Sequence, residues 1–187
     1  MSKLIILTAP SGAGKTTVVH HLLATMPELA FSISATTRPR RPNEVEGRDY
    51  YYIGVDDFQN LIAADAFAEW QEVYPNQFYG TLHSEMDRIW HLGKHIVFDI
   101  DVKGALNLKN AYPDNTLAIF VKPPSKEVLF ERLRKRQTES EESILKRLAR
   151  AEEELAFEHK FDYILVNNIL EDALEEALQV VRNFIQD

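Results

Sequence analysis

The sequence predicts an α/β fold in which five parallel strands form a sheet with helices on both of its faces. Five short runs rich in apolar and β-branched residues have the length of strands, and helical patterns separate most of them. The runs are almost continuously apolar, which is typical of parallel strands that are covered on both sides. The chain has 187 residues, of which 45% are hydrophobic, so it can bury such a core within one domain.

The predicted elements follow one another along the chain. The strands are "LIIL" from Leu4, "FSIS" from Phe31, "IVFDI" from Ile96, "LAIFV" from Leu117 and "YILV" from Tyr163. The helices are "KTTVVHHLLATM" after the first strand, "SKEVLFERLRKRQ" from Ser125, "ESILKRLARAEEELAFEHK" from Glu142 and "LEDALEEALQVVRNFI" from Leu170. Thr138 and Glu141 have the spacing of a capping box, so a new helix is expected to begin there.

Two intervals interrupt this alternation. Residues 36–92 contain short mixed pieces such as "YYYIG", "DDFQNLIAAD" and "AEWQEVY", which predict a small α+β insertion before the third core strand. Residues 125–159 form two highly charged helices. The expected organisation is one domain over 1–187, with a core of about 1–34, 94–124 and 160–187, an insertion of about 35–93 and a helical appendage of about 125–159.

The charge of the chain is uneven and limits its partners. The formal net charge is -8, and residues 138–187 hold thirteen Asp and Glu against five Lys and Arg. We interpret this excess as solvated helix faces, and it disfavours a general nucleic-acid binder. The chain has no cysteine, which excludes disulfides and favours an intracellular setting. No run approaches the roughly 18 apolar residues that span a membrane. A cytoplasmic protein without a membrane partner is therefore expected.

The strongest single motif is "LIILTAPSGAGKTT", in which a strand, a glycine-containing loop and a helix follow one another. This is the context of a P-loop, whose backbone N–H groups and helix N-terminus bind phosphate oxygens. Lys15 would reach the β- and γ-phosphates and the Thr16 hydroxyl would bind Mg²⁺. Ala9 replaces the first glycine of the strict pattern, and an ordinary glycine-rich turn is the alternative. The predicted nucleotide-binding residues are Pro10, Ser11, Gly12, Ala13, Gly14, Lys15, Thr16 and Thr17.

A P-loop needs an acidic residue on a neighbouring strand to hold the metal ion. The run "HIVFDID" ends in Asp99 and Asp101, at the strand end where ligands bind in such sheets. The alternation of side chains along a strand puts both carboxylates on one face. We predict Asp99 as the metal-site acid. The alternative is that the pair caps the next helix.

Several linked motifs make the chain resemble the guanylate kinases. They are "APSGAGKT", "SATTRPRRPNEVEGRDYYYI", "FAEWQEVYPNQFYGT", "FDIDVKG", "ERLRKRQTESEESILKRL" and "YILVNN", in that family's order and spacing. The resemblance runs from about residue 4 to the C-terminus, and Ala9 is similar to a variant of bacterial members. It implies a P-loop NTPase-type sheet, a GMP-binding insertion and a helical lid. It also implies Mg²⁺-dependent phosphorylation of GMP and dGMP to GDP and dGDP by in-line transfer from ATP.

The resemblance implies a GMP site within the insertion. The phosphate clamp would consist of Arg38, Arg41, Tyr50 and Tyr79. The guanine base would be read by Glu69, Ser34, Thr81 and Asp101. A carboxylate such as Glu69 can accept hydrogen bonds from N1–H and the 2-amino group of guanine, and adenine lacks both donors. Arg40 matches no clamp position and is interpreted as solvated.

The resemblance also implies catalytic and lid residues. Arg132, Arg136 and Arg147 match arginines that close over the transferring phosphates, and Arg132 and Arg136 lie four residues apart on one helix face. The alternative is a solvated, salt-bridged pair of helices. Asn167 matches a region that lines the adenine pocket. The expected catalytic residues are Lys15, Arg38, Arg132, Arg136 and Arg147. Closure of the insertion and the lid would exclude water, so both are expected to move.

Two rival functions share parts of this pattern. One is a guanylate-kinase-like interaction module of scaffold proteins, but such modules have generally lost parts of the ATP site that are present here. The other is a related P-loop kinase with another acceptor, such as a ribosyl bisphosphate, against which Glu69, Ser34 and Thr81 argue. The expected partners are therefore ATP with GMP or dGMP, and the expected assembly is a monomer or a small homo-oligomer.

Overall fold

The computed structural model describes residues 2–135 and 141–186, and a parallel sheet lies at its centre. The strands of this sheet are β1 (Leu4–Thr8), β2 (Leu29–Phe31), β7 (His95–Asp99), β8 (Thr116–Lys122) and β9 (Tyr163–Val166). They pair in the order β2-β7-β1-β8-β9, and every pair is parallel. The predicted fold class is confirmed.

Helices cover both faces of the sheet because its central strands are apolar on both sides. The helices are α1 (Lys15–Thr25), α3 (His83–His91), α4 (Val102–Ala111) and α7 (Leu170–Gln186). On one face, Ile5 and Leu7 of β1 share a core with α1 and α7, whereas Leu4 and Ile6 point to a second core that includes α3 and α4.

A second, smaller sheet lies between β2 and β7 in the chain. Its strands are β3 (Ala35–Thr36), β4 (Tyr51–Tyr52), β5 (Phe67–Tyr74) and β6 (Gln77–Leu82), in the order β4-β3-β6-β5. Helix α2 (Val55–Ala63) covers it through Phe58, whose ring stacks on Phe67 at 4.4 Å and on Phe78 at 5.4 Å between centroids. This aromatic core makes the sheet a packed unit of its own.

Two details differ from the sequence-based expectation. The second strand ends at Phe31, because the next residues leave the parallel sheet: the N–H of Ile33 donates to Glu85 and the carbonyl of Ser34 accepts from Tyr51. Helix α4 is absent from the predicted helices, since Gly104 interrupts its pattern. Its N-cap is Asp101, whose carboxylate accepts hydrogen bonds from the N–H groups of Lys103 and Gly104.

The two charged helices are α5 (Lys126–Lys135) and α6 (Glu141–Leu155), and they pack on each other through Leu129 and Ala151. The predicted lid residue Arg136 and the predicted capping residue Thr138 lie outside the described residues.

Candidate functional site

The loop between β1 and α1 has the backbone geometry that a phosphate-binding loop requires. Gly12 and Gly14 have φ angles of 92° and 95°, which strongly favour glycine. Among the described residues, Asp65 and Asn76 are the non-glycine residues with positive φ, so Ala9 keeps an ordinary backbone conformation. Ala9 is buried in the core beside α1, and the replacement of glycine at this position is therefore accommodated.

Lys15 and Thr16 both contact Asp99, which ends the neighbouring strand β7. The Lys15 ammonium lies 2.5 Å from Oδ1 of Asp99 and donates to the Ile100 carbonyl at 3.1 Å. The Thr16 hydroxyl lies 3.4 Å from Oδ2 of the same carboxylate. The parallel pairing of β1 with β7 brings these groups together, because Leu7 is the register partner of Asp99.

The hydroxyl of Thr16 and the carboxylate of Asp99 are oxygen donors of the kind that Mg²⁺ prefers. Within residues 2–135 and 141–186, no three His, Cys, Asp or Glu side chains converge. Mg²⁺ is usually bound by one or two protein oxygens together with water and substrate phosphates, and the hydroxyl and carboxylate beside the P-loop match that requirement. Thr16 and Asp99 have the ligand chemistry to hold it, and their role as metal ligands stays a prediction.

The predicted phosphate clamp forms a connected group on the second sheet. The Nε–H of Arg38 donates to the Tyr79 hydroxyl at 3.1 Å, and the Arg38 guanidinium lies 5.4 Å from the Tyr50 ring centre. The Tyr50 and Tyr79 rings meet edge to face at 5.9 Å. Both terminal nitrogens of Arg38 bind the carboxylate of Glu44, at 2.7 and 3.0 Å. The side chain of Arg41 is 67% exposed and lies 3.9 Å from that carboxylate.

Glu69 on β5 is a buried carboxylate, with a relative exposure of 7%. Its Oε1 accepts a 2.7 Å hydrogen bond from the Thr81 hydroxyl on the paired strand β6. Burial raises the pKa of Glu69 to about 7; the Thr81 hydrogen bond opposes this rise, and the charge of Asp101 adds to it. Ser34 is also buried, at the point where the chain passes between the two sheets.

One cavity of about 410 Å³ joins the loop to the second sheet. The predicted residues that line it are Pro10, Ser11, Gly12, Ala13, Gly14, Lys15, Thr16, Thr17, Ser34, Tyr50, Glu69, Tyr79, Asp99, Asp101 and Arg147. Arg38, Arg41, Thr81, Arg132 and Asn167 are not among its lining residues. Asp101 caps α4, which is the alternative interpretation of the two aspartates, and it also lines the cavity; its contact with guanine stays a prediction.

The predicted arginines of the charged helices differ in what they contact. Arg147 lies 3.5 Å from the Ser11 hydroxyl of the loop, whereas Arg132 donates to the Asn167 carbonyl at 3.1 Å. Arg150 lies 5.3 Å from the Tyr74 ring centre and binds Glu154 at 2.9 Å. It therefore joins α6 to the second sheet.

Asn167 lies behind the loop. It is 4% exposed, and its amide nitrogen donates to the Ala13 carbonyl at 2.8 Å. A Cβ atom at Gly14 would collide with the same nitrogen. Oδ1 of Asn167 has no partner among the residues that the structure describes. The side chain thus supports the loop from behind, and contact with an adenine ring stays a prediction.

Sequence reasoning missed two residues that shape the site. Glu44 holds Arg38, and Gly104 on α4 leaves room for Glu69, because a Cβ at Gly104 would lie 2.6 Å from Oε2 of Glu69. The position of Glu44 three residues after Arg41 is a weak signal for the first contact. No local pattern indicates the second contact, which joins helix α4 to strand β5 of the second sheet.

Comparison with known proteins finds one family over almost the whole chain. The family model described as guanylate kinase matches residues 1–185. The chain is 47% identical over 182 residues to the guanylate kinase of Salinibacter ruber, covering 97% of this chain and 96% of that one. It is 46% identical over 186 residues to that of Porphyromonas gingivalis, covering 99% of each. The crystal structure of guanylate kinase from Anaplasma phagocytophilum superposes with a TM-score of 0.79 at 28% identity, over 97% of this chain and 85% of that one.

None of the helices in 2–135 and 141–186 combines the length and apolarity needed to cross a membrane.

Proposed function

The chain belongs to the guanylate kinase family, whose enzymes phosphorylate GMP to GDP with ATP, and we propose how its own residues perform that reaction. The observation that carries the proposal is one cavity that is lined by the P-loop on one side and by Glu69, Tyr50 and Tyr79 on the other. Such a cavity can hold a donor phosphate and an acceptor nucleotide in contact, which is what a direct transfer requires.

We assign guanine recognition to Glu69, Ser34, Thr81 and Asp101. The ionised Glu69 carboxylate would accept from N1–H and the 2-amino group, with Thr81 holding the carboxylate in place. Asp101 would accept a second hydrogen of the 2-amino group, and Ser34 would donate to O6, since the single hydroxyl hydrogen of Thr81 is already donated to Glu69. Because none of these contacts involves the 2′-hydroxyl, the proposal extends to dGMP.

We assign the GMP phosphate to Arg38, Arg41, Tyr50 and Tyr79. Guanidinium and phenol donors suit the oxygens of a dianion, and Arg–phosphate hydrogen bonds are among the stronger ones in proteins. The exposed side chain of Arg41 is available for such a contact, and Arg38 is already bonded to the Tyr79 hydroxyl. Arg40 has no part in this clamp.

We assign ATP binding to residues 10–17, with Lys15 leaving Asp99 to contact the β- and γ-phosphates. Thr16 and Asp99 would hold Mg²⁺, which supplies neutralisation of the charge on the β- and γ-oxygens when it is bound. Arg147 already reaches the loop through Ser11, so it is suited to add positive charge over the transferring group. Arg132 and Arg136 would join it from α5 and the segment after it, and Asn167 would support the loop.

The chemistry needs no covalent intermediate and no strong base. The acceptor is a phosphate oxyanion, so catalysis reduces to alignment of the two phosphates and neutralisation of their charge. We propose that residues of about 35–93 carry GMP and that about 125–159 form a lid over a core of about 1–34, 94–124 and 160–187. Closure of both parts would exclude water and suppress hydrolysis of ATP.

A coupled assay of ADP release tests the proposal. ATP and Mg²⁺ are supplied with GMP, dGMP, AMP or UMP, and ADP should appear with GMP and dGMP only. Absence of GMP-dependent ADP release would refute the activity. Equal rates with AMP would leave the kinase chemistry intact and refute the role assigned to Glu69.

A further inference from the structure

The carboxylate of Glu44 lies at the centre of the phosphate clamp, although the reaction as proposed gives it no role. Its Oε1 accepts from Arg38 at 2.7 Å. Its Oε2 accepts from Arg38 at 3.0 Å, from the backbone N–H of Arg41 at 2.8 Å and from the Tyr52 hydroxyl at 2.8 Å. An acidic group in this place is unexpected, because it lies beside the arginines that are assigned to a dianion.

The hydrogen bonds of Arg38 show what Glu44 does to the clamp. A guanidinium has five N–H donors in a fixed plane. In Arg38 the Nε–H binds Tyr79, one Nη1–H binds the Pro39 carbonyl, and one hydrogen on each terminal nitrogen binds Glu44. Among the described residues, one Nη2–H of Arg38 is left without an acceptor. Arg38 is thus held rigidly, and it can offer the phosphate its charge and a single donor rather than its whole fork.

Arg41 differs from Arg38 in that its guanidinium is available to a ligand. Its side chain is 67% exposed, and its guanidinium comes no closer than 3.9 Å to Glu44. Its backbone, by contrast, is fixed, because its N–H donates to Glu44 and its carbonyl accepts from the Glu44 N–H at 3.1 Å. Glu44 therefore holds the main chain of Arg41 while leaving the guanidinium available to a ligand.

We propose that Glu44 is a positioning residue that fixes Arg38 and the turn carrying Arg41, and that it remains in place when the GMP phosphate binds. The proposal rests on the function proposed above. The competing possibility is that the carboxylate imitates the phosphate and must leave before GMP binds. Departure of Glu44 would leave the Arg41 N–H and the Tyr52 hydroxyl without their acceptor, and neither group is assigned to GMP. This cost favours a carboxylate that stays.

The charge of Glu44 is constant over the working range of the enzyme. Its hydrogen bonds with Arg38, aided by those from the Arg41 N–H and Tyr52, lower the pKa of Glu44 to about 2. The same pairing raises the pKa of Arg38. The positioning effect should therefore not change between pH 6 and 8.

The test is steady-state kinetics of Glu44→Gln. Loss of a charged hydrogen-bond partner should raise the KM for GMP by roughly tenfold or more, with the KM for ATP within about twofold of the native value. The rise should be the same at pH 6 and pH 8, and Glu44→Asp should recover part of it. Glu46→Gln is the matched control, because Glu46 is exposed, lies in the same segment and accepts a hydrogen bond from the Tyr52 N–H rather than from the clamp arginines.

Three results for Glu44→Gln would overturn the inference. A lower KM for GMP would indicate that the carboxylate competes with the phosphate, and an unchanged KM for GMP would indicate that Glu44 has no positioning role. Equal increases in the KM values for GMP and ATP would indicate a general distortion of the protein. Arg38→Lys separates these from failure of the proposed function. If Arg38→Lys leaves the KM for GMP unchanged, the clamp assignment itself is wrong. If Arg38→Lys raises the KM for GMP, then Glu44→Gln should raise it by a smaller factor in the Arg38→Lys background than in the native protein, because both changes remove the same interaction between Arg38 and Glu44.

Discussion

The Thr81 hydroxyl donates a 2.7 Å hydrogen bond to Oε1 of Glu69, at a position where β5 and β6 are register partners. The bond uses one oxygen of a buried carboxylate and orients the other toward α4, where Gly104 lies. A carboxylate held in this way can read two neighbouring donors without reorganising, which is the property that guanine recognition requires.

Glu69→Gln should therefore weaken the use of GMP far more than that of ATP. The glutamine amide presents a donor where the carboxylate presents an acceptor, so one guanine hydrogen is left unpaired in a buried site. The KM for GMP should rise roughly 100-fold, with little change for ATP. Steady-state kinetics with each substrate varied in turn measure the difference, and the exposed Glu72→Gln on the same strand is the control. Equal losses for both substrates would contradict the role of Glu69.

The use of GMP should improve as the pH rises through 7. Burial raises the pKa of Glu69 from 4.5 to about 7, so the free protein is partly protonated at neutral pH, and the protonated group lacks one acceptor. The value of kcat/KM for GMP should fall roughly tenfold for each pH unit below 7. The phosphate of GMP titrates near pH 6, and Glu69→Gln should retain that effect while losing the one near 7. A native profile that is flat from pH 6.5 to 8 would contradict the shift.

The same pKa shift has a consequence for stability with a defined sign. Since the folded state holds the proton of Glu69 more tightly than the unfolded chain does, the protonated form favours folding. This contribution is fully present below about pH 4.5 and is lost as the pH rises to about 7. The change with pH in the free energy of unfolding should therefore be smaller in Glu69→Gln over this interval, as measured by urea denaturation.

Gly104→Ala should impair GMP binding although position 104 contacts no substrate in the proposed site. The added Cβ would lie 2.6 Å from Oε2 of Glu69 and 3.3 Å from its Cδ, so the carboxylate must move. We expect the KM for GMP to rise by roughly tenfold with the KM for ATP unchanged. Gly54→Ala is a suitable control, since Gly54 is exposed, has a φ of −69° and leaves 3.4 Å to the nearest atom. An unchanged KM for GMP in Gly104→Ala would show that Glu69 tolerates displacement.

Asp99→Asn should reduce the response of the enzyme to Mg²⁺. The carboxylate contacts both Lys15 and Thr16, so its neutralisation would remove the proposed metal ligand and the counter-charge of the lysine together. The concentration of Mg²⁺ at half-maximal activity should rise roughly 10–100-fold, measured at fixed ATP and GMP. The exposed Asp114→Asn should behave like the native protein. An identical Mg²⁺ titration for Asp99→Asn and the native protein would remove Asp99 from the metal site.

Arg40→Ala should cost little, whereas Arg41→Ala should raise the KM for GMP by roughly tenfold or more. Arg40 is exposed, and the proposed clamp uses its neighbours Arg38 and Arg41. Kinetics of the two alanine variants, made side by side, compare arginines that are adjacent in the chain. A large rise in the KM for GMP in Arg40→Ala would show that Arg40 belongs to the clamp.

Much of the fold follows from local pattern. The runs "LIIL", "IVFDI" and "LAIFV" are apolar at every position or nearly so, and strands β1, β7 and β8 form at these runs because only a sheet covered on both faces buries such a pattern. The second strand is the instructive exception. "FSIS" has a strand-like pattern, but the hydrogen bonds of Ile33 and Ser34 go to Glu85 and Tyr51, which are distant in the chain.

The sequence by itself determined the parallel sheet, the glycines of the P-loop and the order of the motifs, since periodicity and backbone freedom are properties of neighbouring residues. Tertiary structure alone decided that Glu44 occupies donors of Arg38 and that Gly104 makes room for Glu69. It also decided that Asn167 supports the loop by a hydrogen bond to Ala13, which lies 154 residues earlier in the chain. Each of these is a contact within a few ångströms between atoms on separate elements. Such contacts depend on how the elements pack, and a pattern along one chain segment carries no information about that distance.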